Sequence, residues 1–393
     1  MKNKILISGG GVAGAGLACA ISRLVNSNEV SITVVEKETE QSLGSVRRGE
    51  VLRPEATKVI HDAGLMDYVM REKPVIRYSP APEIWHTRVG KLGSIDYSIF
   101  APEYPMLYLP HKQIVKSLHD QMKECGIEVI YGAESESVEF SGEAGRKEPI
   151  VTFSSRKREG SYKNDNNSNF KLDADLLIVA DGATSRLRSS LGIPIEFYDY
   201  NAGYLMVIIE RPKELEWGRH YLNAENFVGL FSLPGDRMRV AIEVQGRDLK
   251  KWMSMGTEAL ARRMGELAPI LACCKIQSVG GFYHVIERHA MRYVSDRIAL
   301  IGDAAHTSHP QLGQGMSMVF FDVWTLSKLI LSNPDGSFGE GELKECYEEI
   351  ARPHNAEVIR NARELTEAFT AIGKDPSVLE TYRDLLKRIG FHP

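Results

Sequence analysis

The first 36 residues constrain the fold more than any other stretch of the chain. Lys4 to Ser8 (KILIS) is an apolar run with strand character, and Gly9-Gly10-Gly11-Val12-Ala13-Gly14 follows it at once. Val12 to Leu24 has helical composition, and Ser31 to Val35 (SITVV) reads as a second strand closed by Glu36. A GxGxxG turn that leaves a strand and opens a helix is the βαβ arrangement of a dinucleotide site. Gly9 permits the tight turn, Gly11 lets the backbone approach a pyrophosphate, and Gly14 lets the helix lie against the strand. Glu36, 22 positions past Gly14 and followed by Lys37, is placed to accept ribose hydroxyls, which favours an unphosphorylated ribose. The uncharged stretch Ile5 to Ile21, behind Lys2 and Lys4, has the outline of a signal peptide. Its glycines and the strand that follows favour the nucleotide turn instead. The unit alone does not separate FAD from NAD.

Two later stretches extend the site. Ile298 to Met316 reads IALIGDAAHTSHPQLGQGM: an apolar strand ends at Gly302-Asp303, a loop follows, and a helix opens near Gly315 and runs to Leu331. A buried strand that delivers a carboxylate at its C-terminal end, next to a helix N-terminus, is a ligand-holding arrangement in open α/β sheets. Asp303 can accept hydrogen bonds from sugar-like hydroxyls, and the free N–H groups at the helix start can face a polar or anionic group. Ala174 to Asp181 (ADLLIVAD) is another buried strand, and it ends in Asp181-Gly182-Ala183-Thr184-Ser185-Arg186.

These three motifs, in this order over about 300 residues, resemble those of the FAD-dependent monooxygenases of the aromatic hydroxylase (p-hydroxybenzoate hydroxylase-like) family. Ser45 to Pro54 (SVRRGEVLRP) is similar to that family's arginine-and-glycine segment, in the GELLxP version of squalene-epoxidase-like members. The resemblance implies an α/β fold with a Rossmann-like FAD-binding βαβ domain, a smaller sheet-rich substrate domain and C-terminal helices. It places residues 1–75, 104–195 and 286–335 in the FAD-binding domain, 76–103 and 196–285 in the substrate domain, and 336–393 in a C-terminal helical segment. It gives Arg47 or Arg48 to the FAD phosphates, and Asp181-Gly182 to the pyrophosphate region and the use of NAD(P)H. It sets Pro310 over the isoalloxazine, and it turns the backbone amides of Gly313, Gln314, Gly315 and Met316 toward the flavin N1–C2 carbonyl. At the start of the helix after Tyr108 the family usually carries an arginine. This chain has His111-Lys112-Gln113-Ile114, so a flavin contact there falls to His111 or Gln113.

The implied activity is a hydroxylation. NADH or NADPH reduces noncovalently held FAD and leaves, O2 adds at the flavin C4a, and the hydroperoxide passes one oxygen atom to a small aromatic or polyketide-like substrate. An alkene epoxidase and a geranylgeranyl reductase-like flavin reductase share these motifs, and a flavin-binding scaffold without turnover is a rival from another class. The tryptophan-rich WxWxIP element of flavin halogenases is absent from the sequence. Substrate-facing residues are expected from the strands Tyr204 to Glu210, Phe227 to Leu233 and Met238 to Val244 and the segment between them: Leu205, Val207, Trp217, His220, Tyr221 and Phe231. No acid–base residue stands out.

A net charge of −4 gives no basic surface for nucleic acid. Five cysteines without zinc-type or CxxC spacing suit a reducing, cytoplasmic setting. His306 and His309 have no partner set that would complete a metal site, so none is expected. No stretch other than the first approaches the ~18 apolar residues of a membrane span. A monomer or homodimer is expected.

Overall fold

A computed structural model describes residues 3–22, 30–44, 49–78, 82–141, 148–155, 169–215, 218–333 and 339–392. Its centre is a six-stranded sheet in the order Val294–Ser295, Ile298–Leu300, Leu176–Val179, Asn3–Ser8, Val30–Glu36, Glu128–Tyr131. All of its pairings are parallel except the hairpin at the first edge. Parallel strands covered on both faces read as continuous apolar runs, and Ile5, Leu6, Ile7, Leu176, Leu177, Ile178 and Val179 are all buried. One face is covered by the helix Val12–Ser22, whose Ala- and Gly-rich sequence buries every residue up to Ile21. Small side chains let it lie close to the helix Gly315–Ser332, and a Cβ at Gly16 would be 3.6 Å from Val323. By length and composition Gly315–Ser332 could cross a membrane, but it is a core helix with Met318, Phe320, Val323 and Leu326 wholly buried.

Glu128–Tyr131 joins the parallel sheet beside Val30–Glu36, Gly132 turns the chain with φ +74°, and Ala133–Ser141 enters a three-stranded antiparallel sheet with Glu148–Ser155 and Asn169–Asp173. The polar segment 156–168 lies outside the described residues.

A second sheet of nine strands stands over the first. Its order is His306–Thr307, Ile276–Ala290, Ile195–Glu210, Arg237–Gln245, Phe227–Leu233, Arg219–Leu222, Glu83–His86, Gly90–Ile95, Phe391–His392. Register pairs Leu205 with Ile242, Met206 with Ala241 and Val207 with Val240. One face packs Leu205, Val207, Val228, Leu230, Val240 and Ile242 against Trp252, Leu260 and Met264 of the helices Leu249–Met253 and Thr257–Leu267. A break at Ser254–Gly256 separates those two helices. The C-terminal segment is helical through Glu349–Lys374 and Arg383–Arg388, yet it closes as a strand. Phe391 pairs with Ile95, and Gly93 must be glycine because a Cβ there would lie 2.2 Å from the His392 carbonyl oxygen.

Candidate active site

The glycine turn has three different geometries. Gly9 has φ +108° and a Cβ there would be 2.2 Å from the Ala180 carbonyl oxygen, so the first strand can pass its neighbour only with glycine. At Gly14 a Cβ would be 2.0 Å from the Gly9 oxygen. At Gly11 a Cβ meets nothing within 4 Å, and Gly11, Val12 and Ala13 line a cavity at the N-terminus of the helix. That open cradle in front of free helix N–H groups has the shape and polarity a pyrophosphate needs. Beside it the buried Glu36 carboxylate accepts the N–H of Gly10 at 2.6 Å and of Glu38 at 2.8 Å. Lys37 points outward, exposed. His119 donates from Nε2 to the Gly10 carbonyl (2.7 Å), so its Nδ1 accepts from the Tyr131 hydroxyl at 2.8 Å. Burial holds this imidazole below its ordinary value, in keeping with the neutral tautomer. Nothing in the local sequence marks His119 or Tyr131 as supports of the loop.

Close beside this cradle the chain passes through Gly302 with φ +60°, where a Cβ would be 2.7 Å from that of Ala13. This close approach sets Asp303 in the cavity wall. The turn is held by Asp322, wholly buried on the helix Gly315–Ser332. Its Oδ2 accepts the Gly302 N–H (2.8 Å) and His306 Nε2 (2.7 Å), and its Oδ1 accepts from Asn355 (3.0 Å). One carboxylate therefore joins the Asp303 turn, the His306 strand and the long C-terminal helix. Asp181 does not line the cavity. Its carboxylate accepts the N–H groups of Arg186 (3.1 Å) and Leu187 (3.4 Å), capping the short helix Arg186–Ser190, while Gly182 with φ +91° borders the cavity. Arg188 of that helix donates to the Ala304 carbonyl at 2.7 Å and so ties this motif to the Asp303 turn.

Pro310, Gly313, Gly315 and Met316 line one side of the cavity, which holds about 460 Å³, and the second sheet lines the other. His111, the first residue of the helix His111–Glu124, also borders it. Gln314 turns away and donates to Glu55 at 2.9 Å. The histidines of this loop lie in different surroundings. His306 is held by Asp322, whereas His309 sits between the rings of Tyr200 (4.5 Å) and Tyr204 (6.1 Å), and burial pushes it down to about 3.

The sheet side corrects the expected substrate contacts. Leu205, Val207 and Tyr221 pack into the core behind the sheet, because strand residues alternate and their neighbours Tyr204, Met206 and His220 take the cavity face. Phe231 lines the cavity as expected, and Trp217, like Arg47 and Arg48, lies outside the described residues. His220 is buried between Phe227 (5.2 Å) and Phe231 (5.3 Å), with no hydrogen-bond partner on Nδ1, and burial pushes it down to about 4. Two arginines were not anticipated here. Arg53 is buried, its guanidinium 4.3 Å from the Tyr97 ring centroid, and it pairs with Glu55 at 2.7 Å. Arg239 is buried over Phe231 at 4.6 Å. The signal for Arg53 was its place directly before Pro54 at a helix start; for Arg239 it was the alternation of its strand.

The comparisons with known proteins agree with this geometry. The family described as "FAD binding domain" matches residues 2–362. The ubiquinone hydroxylase UbiL of Rhodospirillum rubrum is 24% identical over 369 residues, covering 89% of this chain and 78% of that protein. The 3-amino-4-hydroxybenzoate 2-monooxygenase of Streptomyces cremeus is 26% identical over 386 residues, covering 93% and 87%. Among solved structures, PqsL of Pseudomonas aeruginosa, a probable FAD-dependent monooxygenase, superposes with a TM-score of 0.74 at 21% identity over 99% of both chains. At that identity the superposition speaks for the fold. With the family match spanning most of its length, this chain belongs to the FAD-binding flavoprotein monooxygenases of the aromatic hydroxylase type, and FAD is its cofactor.

Proposed function

We propose that the protein hydroxylates a planar, anionic aromatic or polyketide-like compound, with NAD(P)H as transient reductant and O2 as the oxygen source. The observation that carries this reading is the pair of buried guanidiniums, Arg53 and Arg239, in a cavity whose wall also carries Tyr97, Tyr108, Phe227, Phe231 and Phe282. Aromatic walls select a flat apolar body, and buried arginine recognises a carboxylate or phenolate through paired N–H donors. Relatives named for 3-amino-4-hydroxybenzoate, pentachlorophenol and anhydrotetracycline support an aromatic ring as the target.

The residues divide the work. Gly11, Val12 and Ala13 take the FAD pyrophosphate, Glu36 the adenosine ribose, Asp303 the ribityl hydroxyls, and the backbone of Gly313 to Met316 the pyrimidine carbonyl. Bound FAD supplies the electron transfer and oxygen activation. The protein keeps the reacting ring against the flavin-facing loop and excludes water with its aromatic wall. His220, kept neutral by burial, adds its ring to the aromatic wall between Phe227 and Phe231. The reading places the enzyme in the cytoplasm as a monomer or homodimer.

The test is a screen of phenols, aromatic carboxylic acids and polyketide phenols with FAD-loaded protein, scored by a mass gain of one oxygen atom and by NAD(P)H and O2 consumption. Arg239→Met should raise KM for the acidic substrates by about ten- to a hundredfold and leave neutral analogues nearly unaffected. A variant that keeps its preference for acids, or flavin turnover without O2 uptake, defeats the proposal.

A further inference from the structure

A second cavity of about 690 Å³ lies beyond Phe227 and Gln311, which border both cavities. Glu243 stands in its inner wall, two residues beyond Ala241 on the strand whose Arg239 and Ala241 face the substrate cavity. Trp252 and Phe369 give it apolar sides. The Glu243 carboxylate is buried, and its neighbours are neutral: the backbone N–H of Phe227 and the amide of Gln311, 3.2 Å away. Asn226 spends its amide nitrogen on the Glu243 carbonyl at 2.5 Å. The amide oxygens of Asn226 and Gln311 have no donor and are closed off from the cavity. The remaining lining is mixed in charge, Arg247, Lys251, Arg263 and Lys374 against Glu225, Asp248 and Glu266, with Arg263 paired to Glu225 and Glu266 and Arg247 to Asp248.

The inner wall therefore presents one ionisable carboxyl, that of Glu243, among neutral groups. Burying a carboxylate among neutral groups, next to two amide oxygens without donors, costs free energy that no neighbouring side chain restores. Burial accordingly pushes the Glu243 carboxyl up to about 7. At the wall of a cavity, a ligand that brings N–H donors and a positive charge offsets that cost. An anionic ligand end would meet the carboxylate and be repelled.

We propose that this second cavity binds a small molecule carrying an ammonium group on an aromatic or apolar body, with the ammonium against Glu243. Phe227, Trp252 and Phe369 offer rings to the cation and to the body attached to it. The site is separate from the hydroxylation proposed above and stands or falls without it. Gln311 belongs to the turn Pro310–Leu312 that leads to Gly313, so the ligand lies one side chain away from the flavin-facing loop.

Isothermal titration of the FAD-loaded protein near pH 8, where Glu243 is ionised, tests this with 2-phenylethylamine, 2-phenylethanol and 3-phenylpropanoate. The amine is expected to bind at least about tenfold more tightly than the alcohol, and the amine's affinity should fall about ten- to a hundredfold in Glu243→Gln. Trp252 fluorescence should respond to the amine and not to 3-phenylpropanoate. The comparison of the three probes on wild-type protein stands even where the variant fails to fold. Amine binding no tighter than alcohol binding, an unchanged amine affinity in a folded Glu243→Gln, or no amine binding at millimolar concentration overturns the proposal.

Discussion

Replacing Gly11 by valine should leave the fold standing and empty the cofactor site. The magnitude follows from what surrounds the glycine. A Cβ at Gly11 meets nothing within 4 Å, and Gly11 is not among the glycines with positive φ, so the branch point of the valine meets no neighbour and its backbone no strain. The space it fills is the one a pyrophosphate needs against the N–H groups that open Val12–Ser22. Losing two charge-assisted hydrogen bonds at roughly 1.5–3 kcal/mol each removes about 3–6 kcal/mol, or about 10²–10⁴ in FAD affinity. Gly14→Val is the contrasting case, because its Cβ would be 2.0 Å from the Gly9 oxygen and 2.9 Å from Ile7. That variant should lose folded yield. The assay strips FAD from each protein, measures thermal unfolding of the apo form, and then titrates FAD by quenching of its fluorescence. Gly11→Val is expected to unfold within a few degrees of wild-type apoprotein and to bind FAD at least about a hundredfold more weakly. If Gly11→Val binds FAD within about threefold of wild type, the cradle is not where the pyrophosphate sits.

Three further outcomes are expected. Asp303→Ala should reduce FAD retention about ten- to a hundredfold, while Asp296→Asn, in the turn before the same strand, keeps it; equal flavin content after gel filtration would contradict the role given to Asp303. Asp322→Ala removes an acceptor from Gly302, His306 and Asn355 at once in a dry site, and urea unfolding should show a loss of about 3–5 kcal/mol together with weakened FAD binding; a loss under about 1 kcal/mol would mean the three elements do not depend on it. Glu243 titrates near 4.5 in the unfolded chain and at about 7 in the fold, so the folded protein holds a proton there that the unfolded chain has already shed. Its contribution is full below pH 4.5, declines as pH rises to 7 and is flat above, a change of about 3 kcal/mol. Glu243→Gln should abolish that slope, read as the wild-type-minus-variant difference in unfolding free energy between pH 5 and pH 8, and a difference that does not vary with pH would refute it.

What could be read from the chain alone was what its backbone dictates locally. Gly9 and Gly14 each answer to a contact within a few residues or with the adjacent strand, Gly11 keeps the cradle between them open, and the strand ends at Glu36, Asp181 and Asp303 announce themselves by an apolar run that stops at a carboxylate. Asp322 shows where that reading ends. It lies mid-helix among apolar residues, 20 positions from Gly302 and 33 from Asn355, and only the packing of three elements makes it the centre of the turn that carries Asp303. The substrate face failed for a different reason. Apolar residues occupy both sides of the strand Ile195–Glu210, so period two could not say whether Leu205 and Val207 or Tyr204 and Met206 meet the cavity. The polar residues held the better clue, because a sheet face that buries Arg239, His220 and Glu243 needs something polar to bury them against, whereas the face of Leu205 and Val207 needs only a helix. The same reasoning places Glu243, on that polar face, at a cavity wall. Its side is settled by register from Arg239 through Ala241, a relation visible in the sequence only once the strand's partner is known.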